Sequence, residues 1–150
     1  MTPSEASAPR KALCLPLGGF YYGFELECVE EAAQDTPVTP FPCLPEYYCG
    51  VCSHKGTITP VVSLRRLTGQ TGPEGGGRAV TVFLRSGEFE CGILTEEEPV
   101  LLDLSAARPV EDDRAELSSR LLLREICAVD EGVVLLVDVP STLESLVVCG

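Results

Sequence analysis

Residues 42–67 read PCLPEYYCGVCSHKGTITPVVSLRRL. Two prolines open the stretch, a CxxC pair and the chain's single histidine follow, and Lys55-Gly56 separates two apolar runs, Cys49 to Ser53 and Thr57 to Leu64. Glycine tolerates positive φ at little cost, so Lys55-Gly56 reads as a tight turn and the stretch as a β-hairpin. The same residues also admit a chemical reading. Cys43, Cys49, Cys52 and His54 have C-x5-C-x2-C-x-H spacing, and three thiolates with one imidazole suit tetrahedral zinc. On a strand, however, Cys49 and Cys52 are three apart and point to opposite faces, whereas a zinc knuckle brings both thiolates together. A redox CGVC needs its first thiol at a helix N-terminus, and here a Lys-Gly turn and a β-branched run follow instead. The expectation is therefore free cysteines with no metal and no cofactor. A small metal-binding β-module using these four residues is the competing class.

Working outward, Phe20, Tyr22, Phe24, Leu26 and Cys28 alternate with more polar neighbours, the period of a half-buried strand. Val29 to Gln34 breaks that alternation and reads as a short helical turn or bend. Pro37, Pro40, Pro42 and Pro45 each remove a backbone donor, which makes their segment a rigid surface connection. Residues 68–78, TGQTGPEGGGR, read as a mobile loop and as the boundary between two lobes. Ala79 to Arg85 and Glu88 to Leu94 flank Ser86-Gly87 as a second hairpin, and Val100 to Leu104 is a short strand. Leu121 to Val129 and Val133 to Val139 surround Asp130-Glu131-Gly132 as a third hairpin. Residues 1–12 read as a disordered tail, and residues 141–150 as a C-terminal extension, a short helix or strand. Short strands with turn signals every ~8–12 residues indicate an all-β fold, barrel or sandwich.

At 150 residues the chain can bury a core without disulfides. The N-terminus lacks the pattern of a signal peptide and no apolar run approaches ~20 residues, so a cytoplasmic location is expected. In a reducing compartment, Cys14, Cys28, Cys91, Cys127 and Cys149 read as small core residues. A formal net charge of -12, with few and scattered basic residues, argues against nucleic acid. Arg65-Arg66 reads as a solvated strand end. Catalytic signatures are missing: His54 has no sequence partner, and there is no G-x-S-x-G, P-loop or G-x-G-x-x-G. Glu96 to Glu98 reads as a solvated acidic turn.

Five submotifs in order give the chain a wider likeness. They are Tyr22-Gly23, Val29-Glu30-Glu31, Pro42-Cys43-Leu44-Pro45, Gly50 to Gly56, and Pro60-Val61-Val62-Ser63-Leu64. In this the chain resembles the CheW-type coupling proteins of bacterial chemotaxis, with looser matches at Cys91 to Leu94 and Val134 to Asp138 extending the likeness over residues 13–140. Where that family has Asn and Arg before the hairpin glycine, Ser53 and Lys55 stand here. Where it has V-D-x-V, Thr95 to Glu98 stand here.

The resemblance implies two small SH3-like five-stranded β-barrels packed together and an adaptor without enzymatic activity, linking chemoreceptor tips to the regulatory domain of the histidine kinase CheA. It places receptor contacts on Val29, Glu31, Lys55 and Gly56, and kinase contacts on Gly50 and Val51. On that placement, Gly50→Asp is expected to abolish kinase binding with the fold intact. A divergent CheW-like domain in another sensory pathway is the runner-up.

Overall fold

Eleven strands run through the described residues, 10–69, 79–111 and 121–148 of a computed structural model. Strands β1 (Lys11–Leu17) and β2 (Phe20–Glu25) pair antiparallel; a 3-10 turn (Leu26–Cys28) then leads to β3 (Val29–Gln34) in a second sheet. That sheet is completed by β4 (Tyr48–His54), β5 (Thr57–Ser63), β6 (Val80–Ser86) and β7 (Phe89–Thr95), with the single-turn helix α1 (Leu64–Leu67) after β5. The chain returns to the first sheet through β8 (Val100–Asp103), β9 (Arg108–Pro109), β10 (Leu123–Val129) and β11 (Gly132–Val137). Helix α2 (Val139–Leu143) and a wide turn over Glu144–Val148 follow.

The strand orders are β8-β1-β2-β11-β10-β9 and β3-β6-β7-β5-β4. Each sheet has the same sequence of pairings over five strands: antiparallel, antiparallel, parallel, antiparallel. The fold is thus all-β with two similar small lobes, and the two-residue β9 gives the first sheet a sixth strand beyond the expected five. At the parallel pairing of each sheet stands a glycine without room for a side chain. A Cβ on Gly23 would lie 2.9 Å from Val134 Cγ1, and one on Gly92 would lie 2.8 Å from Thr81 Cγ2 and 3.3 Å from Val61 Cγ2.

The lobes are interleaved, which corrects the expected boundary at 68–78. Residues 70–78 lie outside the described residues, and the segment they belong to joins α1 to β6 within one lobe. The chain crosses between sheets at the Leu26–Cys28 turn and again between β7 and β8.

Other expectations change too. The bend expected at Val29 to Gln34 is β3, paired with β6, and the turn comes three residues earlier. A register shift between Val29 and Glu31 hides the strand's alternation. Residues 1–9 lie outside the described residues, but the tail assignment fails at Lys11 and Ala12, which belong to β1 with Ala12 fully buried.

One core spans both sheets. Leu15, Tyr22, Phe24, Leu135 and Val137 from the first meet Val62, Val82, Leu84 and Ile93 from the second, and Leu143 and Leu146 from the C-terminal turns. The expected extension is therefore a helix sealed into the core. Its start is capped by the Asp138 carboxylate, which accepts from the Ser141 amide. Cys14, Cys91 and Cys127 are buried as expected, Cys28 is half-buried, and Cys149 lies outside the described residues.

Candidate functional site

The β4–β5 hairpin supplies the most exposed part of the expected docking surface. Lys55 (φ 51°) and Gly56 (φ 79°) are both left-handed, as in the tight turns whose twist matches paired strands, and His54 pairs with Thr57 across them. Both turn residues are exposed. Beside them Ile58 is 69% exposed, opposite Ser53. Its signal in the sequence is a lone apolar residue between two threonines, out of phase with the buried Thr59 and Val61.

Glu31 reaches the same region from β3, beside His54. The second sheet is open between its edges β3 and β4, and the chain after β3 folds across that seam: Thr39 and Val51 exchange backbone hydrogen bonds of 2.8 and 2.9 Å. Gly50, with φ 145°, lies under this crossing. A Cβ there would sit 2.1 Å from the Thr39 carbonyl oxygen. The close approach that Gly50 permits is therefore that of the chain's own backbone. This overturns the expectation that Gly50→Asp leaves the fold intact, because φ and space both oppose any side chain. Val51 is half-buried, while Val29 packs against the main core.

Side chains also tie the seam together. Glu31 Oε1 lies 2.6 Å from His54 Nε2, and the imidazole stacks on Phe83 of β6 at 3.9 Å between centroids with 4° between planes. Around this ring stand Glu30 of β3, Glu90 of β7 and Arg85 of β6, with Arg85 Nε 3.3 Å from Glu30 and its terminal nitrogen 3.1 Å from Glu90. Desolvation pushes the Glu30 carboxyl up, but a hydrogen bond with Glu90 and the charges of Arg85 and Lys55 outweigh it and hold the group below its ordinary range. Sequence reasoning linked His54 only to cysteines and missed these strand-borne carboxylates, since 23 residues separate Glu31 from His54.

The four residues of the metal-module reading do not form a common site. Cys43 is exposed in the proline-rich connection. Cys49 and Cys52, expected on opposite faces, both pack against the small cluster of Cys52, Val61 and Phe83, because a β-bulge between Tyr48 and Gly50 resets the alternation. Burial pushes the Cys14 and Cys91 thiols up to about 12 and raises those of Cys28, Cys52 and Cys127. Such thiols are protonated at neutral pH and poor nucleophiles.

A groove of about 310 Å³ opens where the lobes meet, lined by Pro16, Leu17, Leu64, Leu94, Thr95 and Glu97 among others. Arg65 and Glu96 face each other across its rim at 3.1 Å. Both had been read as solvated. The Ser63 hydroxyl caps α1 by accepting from the Arg66 amide, which turns Arg65-Arg66 from a strand end into a helical turn; Arg66 then reaches the carbonyls of Glu46 and Tyr48.

The model of the CheW-like domain family matches residues 11–147. The chain belongs to the CheW-like domain family. It is 28% identical over 135 residues to the chemotaxis protein CheW of Klebsiella aerogenes, covering 89% of this chain and 81% of that one. The crystal structure of the scaffolding protein TtCheW from Thermoanaerobacter tengcongensis superposes with a TM-score of 0.70 at 20% identity, over 87% of this chain and 89% of that one. This second likeness is one of fold. Within this CheW-like chain the five submotifs map to β2, β3, the proline-rich connection, β4 with its turn, and β5 running into α1. Among the described residues no helix is long and apolar enough to cross a membrane.

Proposed function

We propose that this chain is a non-catalytic adaptor that couples chemoreceptor tips to the regulatory domain of the histidine kinase CheA at cytoplasmic receptor arrays. The observation that carries this reading is the family match over residues 11–147. Receptor contacts are assigned to Val29, Glu31, Lys55 and Gly56, and kinase contacts to the β4 segment at Gly50 and Val51. Exposed hairpins on a rigid β scaffold suit docking, because the scaffold holds the surface in its bound shape beforehand. Ile58 joins the receptor side as an apolar contact beside Lys55. Gly50 acts there by shape, letting Thr39 close over β4.

Titration calorimetry with the CheA regulatory domain and a receptor-tip fragment of the same organism tests the proposal. Both are expected to bind at tens of micromolar or tighter, and together in one complex. Lys55→Glu is expected to weaken receptor binding by about tenfold while leaving kinase binding unchanged. Absence of binding to either partner would overturn the adaptor reading.

A further inference from the structure

We propose that Glu30, His54 and Glu90 form a binding site for a divalent transition ion of the zinc class. The inference uses none of the cysteines, and Glu31, assigned above to the receptor side, enters it only as the hydrogen-bond partner of His54. One donor atom from each of the three residues lies within 4.8 Å of the other two.

The imidazole carries the argument. His54 is 94% buried, with 6% side-chain exposure, and its ring is clamped by the stack on Phe83. The Glu31 carboxylate can only accept, so Nε2 donates to it across 2.6 Å, and a neutral ring then carries its lone pair on Nδ1. Nδ1 has no hydrogen-bond partner among the described residues. What it faces is Glu90 Oε1 at 3.6 Å, from a residue itself only 14% exposed. A lone pair on Nδ1 facing a carboxylate oxygen is unfavourable, and a metal cation between them relieves it as a second ring proton would. With bonds of about 2.0–2.1 Å, neighbouring donors of a tetrahedral ion lie roughly 3.4 Å apart, close to the separation seen here.

The surroundings also suit an ion. A ligating histidine usually gives its second ring proton to a carboxylate, which fixes the tautomer and raises the basicity of the ligating nitrogen. Glu31 already does so. Arg85, 47% exposed, binds the Oε2 atoms of Glu30 and Glu90, leaving Glu90 Oε1 turned toward the ring. Three carboxyl groups, two of them sharing a hydrogen bond, have only Arg85 and Lys55 as cations beside them. One nitrogen and two carboxylate oxygens, with a fourth position for solvent, form a donor set that zinc accepts.

His54 is the only histidine in the chain, so its ring signals report the site without ambiguity. Zn2+ is titrated into untagged full-length protein in the presence of a non-thiol reductant, and the imidazole nitrogens are followed by long-range 1H–15N spectra. The expected result is a one-to-one, saturable shift of Nδ1. Glu90→Gln and Glu30→Gln should each weaken it by about tenfold or more, and Arg85→Gln, which removes a competing cation, should tighten it. Far-UV circular dichroism identifies any variant that fails to fold; Arg85→Gln, an exposed position, then decides the matter. Zn2+ uptake with an unmoved imidazole would assign the ion to thiols and overturn the proposal. So would no uptake, a proton found on Nδ1 at saturating Zn2+, or an Nδ1 shift unchanged in folded Glu90→Gln and Glu30→Gln variants.

Discussion

Two glycines of the same hairpin separate space from conformation. Gly56 has φ 79° and nothing within 4 Å of an added Cβ, so Gly56→Ala costs about 1–2 kcal/mol of backbone strain alone. Gly50→Ala adds a Cβ 2.1 Å from the Thr39 carbonyl oxygen to a φ of 145°, and the crossing strand must move. Its expected cost is about 3 kcal/mol or more, in the range where backbone clashes unfold small domains. Urea denaturation of the two variants checks the ordering, and equal losses would show that the crossing yields. A lost interaction in Gly50→Asp would report the fold before it reported an interface.

Thiols give a second residue-scale prediction. Cys14 and Cys91 keep their protons in the folded state up to about pH 12, whereas an unfolded thiol releases its proton near pH 9. Above that value the folded state binds more protons than the unfolded one, so stability falls as pH rises, by about 1.4 kcal/mol per pH unit for each thiol. Their contribution is fully present below pH 9. Urea unfolding between pH 7.5 and 10.5 should show the decline, and Cys91→Ala should remove one proton from its slope. An unchanged slope would place the thiol within reach of solvent.

At the scale of elements, the hairpins were legible because their turns carry their own chemistry. Lys55-Gly56, Ser86-Gly87 and Glu131-Gly132 all lie where strands reverse. What escaped was controlled by single contacts: the bulge at Glu30 that disguises β3, the one at Cys49 that turns two thiols toward one cluster, and the Ser63 cap that makes α1. The docking role proposed for Lys55 and Gly56 came from the family resemblance and not from the chemistry of the turn. The carboxylates around His54 were not legible, since β3, β4 and β7 meet only when the sheet curves. Helix α2 was legible only as a short helix or strand, because no periodicity announces that a five-residue helix will seal the core. Leu143 is fully buried, and the Tyr48 hydroxyl donates to the Leu146 carbonyl. Leu143→Ala is expected to cost about 2–5 kcal/mol, against about 1 kcal/mol for Asp138→Ala, which removes only the cap. Thermal denaturation distinguishes the two; a loss at Leu143 no larger than at Asp138 would mean that the helix merely covers the lobes.

Interleaving decides how the whole molecule unfolds. The first sheet is built from the two ends of the described chain, and its parallel pairing sets Tyr21–Gly23 beside Val134–Leu136. The second sheet lies between them in sequence, crosses to the first at Leu26–Cys28 and again between β7 and β8, and shares one core with it. Neither lobe can lose its strands without exposing apolar surface of the other, so the lobes should unfold together. Leu135 in the first sheet and Val82 in the second are both fully buried in that core. Leu135→Ala and Val82→Ala should each shift the same single transition, seen alike by far-UV circular dichroism and by fluorescence of the four tyrosines. Hydrogen exchange should release the central amides of both sheets at one free energy. Two separate transitions, or protection lost in one sheet while the other stays closed, would show that the shared core couples the lobes less tightly than their interleaved strands require.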